Sequence, residues 1–295
     1  MTTANIEPKA LENKSGLTAM PVESPKVSRV RQVSLLGADL NPLTLEEFIV
    51  VLQDAVKGNR RWIVANHNLH SLYLFHHDAS MRKFYSAAHC TIIDGMSIVL
   101  LARLFGLRLL RQHRLTALDW IYPVAELARN LDWRIFYLGA EPGVAETAAA
   151  VLRERYPGLQ IKTEQGFFNQ DSEENEEVLR QIGLYKPHVL MVGMGMPLQE
   201  TWIIRNQSRI EANVVLNVGA LFPYLAGDIS TPPRWTGKVG IEWLFRLVTE
   251  PRRLWRRYIL EPLYFLRLLL PGSGFAISQT TDSRCYDRQP DSQLK

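Results

Sequence analysis

The decapeptide Cys90–Val99, CTIIDGMSIV, places one acid, Asp94, directly after a run that reads as a buried strand, and follows it with a glycine. A carboxylate there either caps the next helix or projects into a site as a general base on a hydroxyl. Gly95 permits close approach or a positive φ. Three other apolar runs stop in the same way. Asn66, His67 and Asn68 close WIVANHN, with His70 one turn on, and amides in that place hydrogen-bond either a sugar or a backbone. Gly139 closes IFYLG and Gly143 precedes an alanine-rich helix, an arrangement that can receive phosphate oxygens on free N–H groups. Gly193 and Gly195 in VGMGMPLQE precede Pro197 and the polar pair Gln199 and Glu200, which reads as a substrate wall or as a tight turn with a capping glutamate.

These four places share a position because strand and helix patterns alternate along the chain. RWIVANHN, CTIIDG, DWRIFYLGA, LQIKTEQG, HVLMVGMG and ANVVLNVGA read as strands. LHSLYLFHHDASMRKFYSAAH, MSIVLLARLFG, a segment around 117–130, GVAETAAAVLRERYP, DSEENEEVLRQIGLY and LQETWIIRNQ read as helices. Before them, VSLLGADLNPLTLEEFIVVLQDAVKG gives a short strand, a turn and a helix capped at Thr44. Near-continuous Val/Ile/Leu strands alternating with helices imply a Rossmann-like α/β architecture, a parallel sheet covered on both faces. Ligands in such sheets bind beyond the carboxyl ends of the strands, so the four strand ends are expected to form one pocket. No GxGxxG follows the first strand, which argues against a dinucleotide-dependent oxidoreductase.

With 295 residues, 46% of them apolar, the chain is long enough for an enzyme-sized core. Its two cysteines, Cys90 and Cys285, match no metal spacing and suit a reducing compartment. Residues 1–32 lack the apolar stretch of a signal peptide and read as a disordered leader. Residues 33–230 read as the α/β domain, 231–272 as a basic amphipathic appendage and 273–295 as a disordered tail. Between 234 and 267 lie eight Arg or Lys (234, 238, 246, 252, 253, 256, 257, 267) and three Glu (242, 250, 261), interleaved with aromatic and aliphatic residues such as Trp243, Leu254 and Trp255. That pattern fits an interfacial helix on an anionic membrane surface better than a nucleic-acid stripe. The alternative is a surface helix with solvated arginines.

Taken in order, ANHN, IDGM, RLTALD, LGAEPGVAE, VGMGMPLQE, VGALFPYLAG and GIEWLFRLVTEPRRLWRRY resemble the WecG/TagA/CpsF family of bacterial glycosyltransferases over about residues 33–260. The resemblance implies a GT-E type fold and an inverting transfer, without metal or other cofactor. The donor would be a UDP-sugar and the acceptor a polyprenyl-diphosphate-linked saccharide, at the inner face of the plasma membrane. It places the base at Asp94, substrate contacts at Asn66, Asn68, His70, Gly139, Gly143, Gly193, Gly195, Gln199 and Glu200, and diphosphate contacts among Arg246, Arg253, Arg256 and Arg257. Self-association into a homo-oligomer is within the family's repertoire. The sequence departs from the family pattern at Asn66 (Thr in the family), His70 (Glu), Pro223 (Asp) and Thr231 (Arg). From these departures a hexose donor such as glucose is expected in preference to N-acetylmannosamine or its uronic acid, with a non-catalytic membrane-docked scaffold as the competing reading.

Overall fold

The structure, a computed structural model, describes residues 31–230, 236, 242–268 and 278–280. Its first elements are β1 (Gln32–Leu35), β2 (Ala38–Leu40) and α1 (Leu45–Lys57). Helix α1 starts where Thr44 accepts from the Glu47 N–H and Glu47 reaches back to the Thr44 N–H, a reciprocal cap. It buries Phe48, Val51, Leu52 and Ala55, one stripe at helical spacing. Next come β3 (Trp62–His67), α2 (Leu69–His77), α3 (Ala79–Ala87), β4 (Cys90–Ile93), α4 (Met96–Leu104), α5 (Ala117–Asn130), β5 (Arg134–Gly139), α6 (Val144–Arg155), β6 (Gln160–Glu164), α7 (Glu173–Tyr185), β7 (Val189–Gly193), α8 (Leu198–Asn206), β8 (Val214–Asn217) and α9 (Leu221–Ala226).

Strands β3 to β8 form one six-stranded sheet in the order β4-β3-β8-β7-β5-β6, and every neighbouring pair is parallel. All residues of β4, β7 and β8 are buried, as strands covered on both faces must be. One face carries α1, α5 and α6 around Trp120, Ile121 and Tyr137. The other carries α3, α7 and α8 around Phe84, Phe136 and Trp202. The expected Rossmann-like α/β fold is therefore present.

A third apolar cluster joins β1 and β2 to the C-terminal appendage. The appendage consists of α10 (Glu242–Thr249), α11 (Pro251–Trp255), one turn of π-helix over Arg256–Leu260, and α12 (Glu261–Leu268). Phe265 of α12 is 2% exposed, in a cluster that holds Val33 and Leu35 of β1 and Ile98, Val99 and Ala102 of α4. A final strand, β9 (Ser278–Thr280), pairs antiparallel with β1, giving a small sheet ordered β2-β1-β9.

Two expectations change here. The single helix expected over residues 69–89 is two helices, because Asp78 is extended (φ −123°, ψ 124°) and its carboxylate accepts from the Ser80 N–H, starting α3 afresh. Ser278–Thr280 falls in the stretch expected to be a disordered tail but forms a strand, since β1 offers it an unpaired edge. The rest of that tail and the leader 1–30 lie outside the described residues, as do Thr231, Arg234 and Lys238.

Candidate active site

Asp94 follows β4, and its N–H donates to the His67 carbonyl at 2.7 Å, so the β3/β4 pairing runs to the very end of both strands. The N-cap position of α4 is Gly95, at φ +119°. Asp94 stands one residue before it, in a cleft. Beside it, the Asn68 Nδ2 lies 3.4 Å from Asp94 Oδ2. Asn68 is itself the N-cap of α2, its Oδ1 accepting from the Ser71 N–H at 3.0 Å while Ser71 Oγ accepts from the Asn68 N–H at 2.8 Å. Both readings of the asparagine thus hold in one residue: the cap fixes the amide and the fixed amide faces the carboxylate.

The cleft has two chambers that share Asn68, His70, Asp94, Thr116, Arg246, Arg257 and Tyr258. The first, about 400 Å³, is also lined by Asn66, Gly195, Gln199, Gly219, Tyr224 and Arg256. The second, about 390 Å³, adds the apolar side chains of Leu69, Met96, Trp243 and Pro262. Each has the size of a small-molecule site. The floor is made by the ends of β3, β4, β7 and β8 and the roof by the appendage.

Three arginines, Arg246, Arg256 and Arg257, line the first chamber. Arg246 lies over the Tyr224 ring, 5.3 Å from its centroid. The Arg257 guanidinium approaches Asn68 Oδ1 at 3.4 Å. Burial pushes its pKa down and Arg246 adds to the depression, while Tyr258, Glu261 and Asp94 oppose it. A site that costs a cation its solvation and crowds it with another gains from a bound anion. Arg253 belongs to α11, but its side chain lies outside the described residues.

Gln199 and Glu200 act at different depths. Gln199 Oε1 accepts from the Gly195 N–H at 3.3 Å and the Gly219 N–H at 3.1 Å, so one side chain ties the loops after β7 and β8 together. Its Nε2 donates to Glu200 Oε1 at 2.7 Å, and Asn217 Nδ2 donates to the same oxygen at 2.8 Å. Glu200 is fully buried and lines neither chamber. Its Oε2 has no partner among the described residues. Burial raises its pKa to about 7 against the pull of Gln199 and Asn217. Asn217 continues the chain of contacts to β3: its Oδ1 accepts from the Asn66 N–H at 3.1 Å, and its carbonyl accepts from Asn66 Nδ2.

The four expected strand ends do not all meet. Gly139, Gly143 and Gly193 line neither chamber. A Cβ at Gly139 would fall on the Gly193 carbonyl, and one at Gly193 on Tyr137 Oη, so both glycines serve close packing of β5 and β7. Gly143, at φ +84°, starts α6, whose Ala145, Ala148 and Ala149 pack with Leu221 and Phe222 of α9. Cleft residues that went unmarked in the sequence include Thr116, Tyr224, Tyr258 and Glu261. Asn217 behind the cleft went unmarked too, although the strand-end rule applied to VVLN would have found that one.

His70 lies in both chambers, and its Nδ1 is 2.8 Å from Glu261 Oε1, linking α2 to α12. Pro223 occupies the third position of α9, where a helix needs no N–H from it, and its carbonyl accepts from the Asp228 and Ile229 N–H groups. Among the described residues no group of three or more His, Cys, Asp or Glu is arranged to hold a metal ion. Nor, among the described residues, is any helix long and apolar enough to cross a membrane.

The family model described as "Glycosyl transferase WecG/TagA/CpsF family" matches residues 33–274. Similar proteins include the N-acetylglucosaminyldiphosphoundecaprenol N-acetyl-beta-D-mannosaminyltransferases of Staphylococcus aureus strains NCTC 8325, COL and MRSA252. Each is 27% identical over 232 residues, covering 78% of this chain and 89% of the relative.

Proposed function

The chain belongs to the glycosyl transferase WecG/TagA/CpsF family, and we propose that it moves a sugar from a UDP-sugar onto a polyprenyl-diphosphate-linked saccharide with inversion, Asp94 acting as the base. The observation that carries this reading is the position of Asp94 on the wall shared by two chambers that both hold Arg246 and Arg257, the first adding Arg256 and the second adding Leu69, Met96, Trp243 and Pro262.

The first chamber receives the UDP-sugar, its diphosphate against Arg246, Arg256 and Arg257. The second receives the acceptor sugar, with the first part of its lipid along Met96, Trp243 and Pro262. The acceptor hydroxyl then lies beside Asp94. In a single displacement the carboxylate takes the hydroxyl proton, the new bond forms at the anomeric carbon, and the sugar–phosphate bond breaks with UDP leaving. The arginines neutralise the charge that develops on the departing diphosphate. Asn68 holds the carboxylate in place, and Arg257, touching the same amide, couples base and leaving-group site.

For the transferred sugar we favour an N-acetylated hexosamine of the N-acetylmannosamine type, the group named for the S. aureus relatives. The expected hexose rested on the departures at Asn66, His70, Pro223 and Thr231. Three of these have local structural roles: Asn66 bonds Asn217, His70 pairs with Glu261, and Pro223 fits a helix start. Thr231 lies outside the described residues. Each of the described three thus has a local explanation that requires no changed donor. The appendage is proposed to rest on the membrane through its exposed Trp243, Val248, Trp255, Leu263 and Leu266.

Transfer from a panel of UDP-sugars to a short-chain diphosphate-linked N-acetylglucosamine tests the reading. Turnover is expected with UDP-N-acetylmannosamine, and Asp94→Asn is expected to lose about 10²- to 10⁴-fold in kcat with donor binding kept. Near-normal turnover in that variant rules out the base. UDP binding with no transfer from any donor favours the scaffold instead.

A further inference from the structure

Helix α4 is amphipathic in a way that covering the protein's interior does not explain. Its inward face, Ile98, Val99 and Ala102, is buried against Phe265 of α12. Its outward face carries Leu100, 54% exposed, and Leu104, 62% exposed, and the turn that follows adds Leu110 at 53%. Single exposed leucines are ordinary, but three on one short segment form a patch. Arg103 and Arg108 stand between them and Arg111 follows, all exposed, and the stretch Met96–His113 contains no acidic residue. Arg103 Nε donates to the Leu109 carbonyl at 2.7 Å, tying the turn back to the helix so that both act as one body.

The element that carries this patch packs against the appendage. α4 and α12 share a buried seam through Phe265, and α12 turns Leu263 and Leu266 outward, each more than half exposed. The two elements also frame the second chamber: Met96 and Ser97, the first turn of α4, form one part of its wall, and Trp243 and Pro262 of the appendage another.

We propose that α4 and the turn after it are a second lipid-contacting element, seated on an anionic bilayer together with the appendage, so that the acceptor's lipid reaches the second chamber between them. The leucines enter the boundary between headgroups and acyl chains while the three arginines meet lipid phosphates, the division of labour of an interfacial helix. The proposal rests on the reading that the appendage docks on membrane, and extends it from the basic C-terminal segment to the α/β body.

The test uses the full chain, vesicles of phosphatidylcholine with and without phosphatidylglycerol, and three variants. These are Leu100→Glu/Leu104→Glu, Arg103→Glu/Arg108→Glu/Arg111→Glu, and, as an appendage reference, Val248→Glu/Leu266→Glu. Both α4 variants are expected to lose at least about tenfold in partition onto anionic vesicles, with transfer to a water-soluble short-chain acceptor unchanged as the control for folding. Unchanged partition in both α4 variants, with loss in the appendage reference, overturns the inference and leaves the docking reading standing. Unchanged partition in all three overturns both. If the α4 variants instead convert an oligomer to monomers while vesicle binding persists, the patch is a contact between copies of this chain and the lipid assignment is wrong.

Discussion

Glu200 shows how much chemistry sits behind the cleft without touching it. One oxygen collects hydrogen bonds from Gln199 and Asn217 while the other, equally buried, has no partner among the described residues. Its pKa of about 7 lies above the value near 4.3 of an unfolded glutamate. Its contribution to stability is therefore fully present below about pH 4.3 and is lost as pH rises through about 7. A glutamine keeps the acceptor and has no charge to bury. Glu200→Gln should gain on wild type by on the order of 3 kcal/mol between pH 5 and 8, read as the difference between their unfolding curves. His67, whose burial lowers its pKa to about 3, costs stability as pH falls below about 6.5, but it is present in both proteins and cancels. A pH-independent difference would show that Glu200 is ionised in the folded protein throughout that range, as it is in the unfolded chain, so that burial does not raise its pKa.

Helix α2 is the element on which body and appendage meet. At its start His70 bonds Glu261, and near its end His76 Nδ1 lies 2.7 Å from Tyr264 Oη while its Nε2 donates to the Leu36 carbonyl. The pair at the start lies at the cleft itself. Glu261→Ala, which frees the histidine and leaves space at the roof, should lower kcat/KM about tenfold, equivalent to about 1.4 kcal/mol. Glu261→Gln, which still bonds the imidazole, should stay within about threefold of wild type. Equal losses in the two would mean that the charge of Glu261, rather than its hydrogen bond, is what the seam uses. Nothing in the sequence joined positions 70 and 261, because a contact across 191 residues leaves no periodic trace. What periodicity and strand-end position do record was legible: the six parallel strands, Asp94 in its cleft, and the Gln199 turn. The glycines at 139 and 193 misled for a physical reason, since close packing of two backbones and close approach of a ligand ask for the same residue. The break at Asp78 was missed because α2 and α3 together keep an almost unbroken helical pattern.

At the scale of the whole molecule, stability and function are distributed over different clusters. Two apolar clusters lie on the faces of the parallel sheet and, among the described residues, contain none from the appendage. The third holds β1, β2, α4 and Phe265, and through it the roof of the cleft is attached to the floor. Weakening that cluster should release the roof before the sheet unfolds, because the sheet's own clusters remain complete. Phe265→Ala removes a side chain that is 2% exposed and should cost about 3–5 kcal/mol locally. Hydrogen exchange is then expected to speed up over α10, α11 and α12 while amides of β3, β7 and β8 keep their protection. The donor KM should rise, because Arg246, Arg256 and Arg257 leave the first chamber with the appendage. Uniform loss of protection through β7 and β8 would mean instead that roof and sheet unfold as one unit, and that the cleft cannot open without global unfolding.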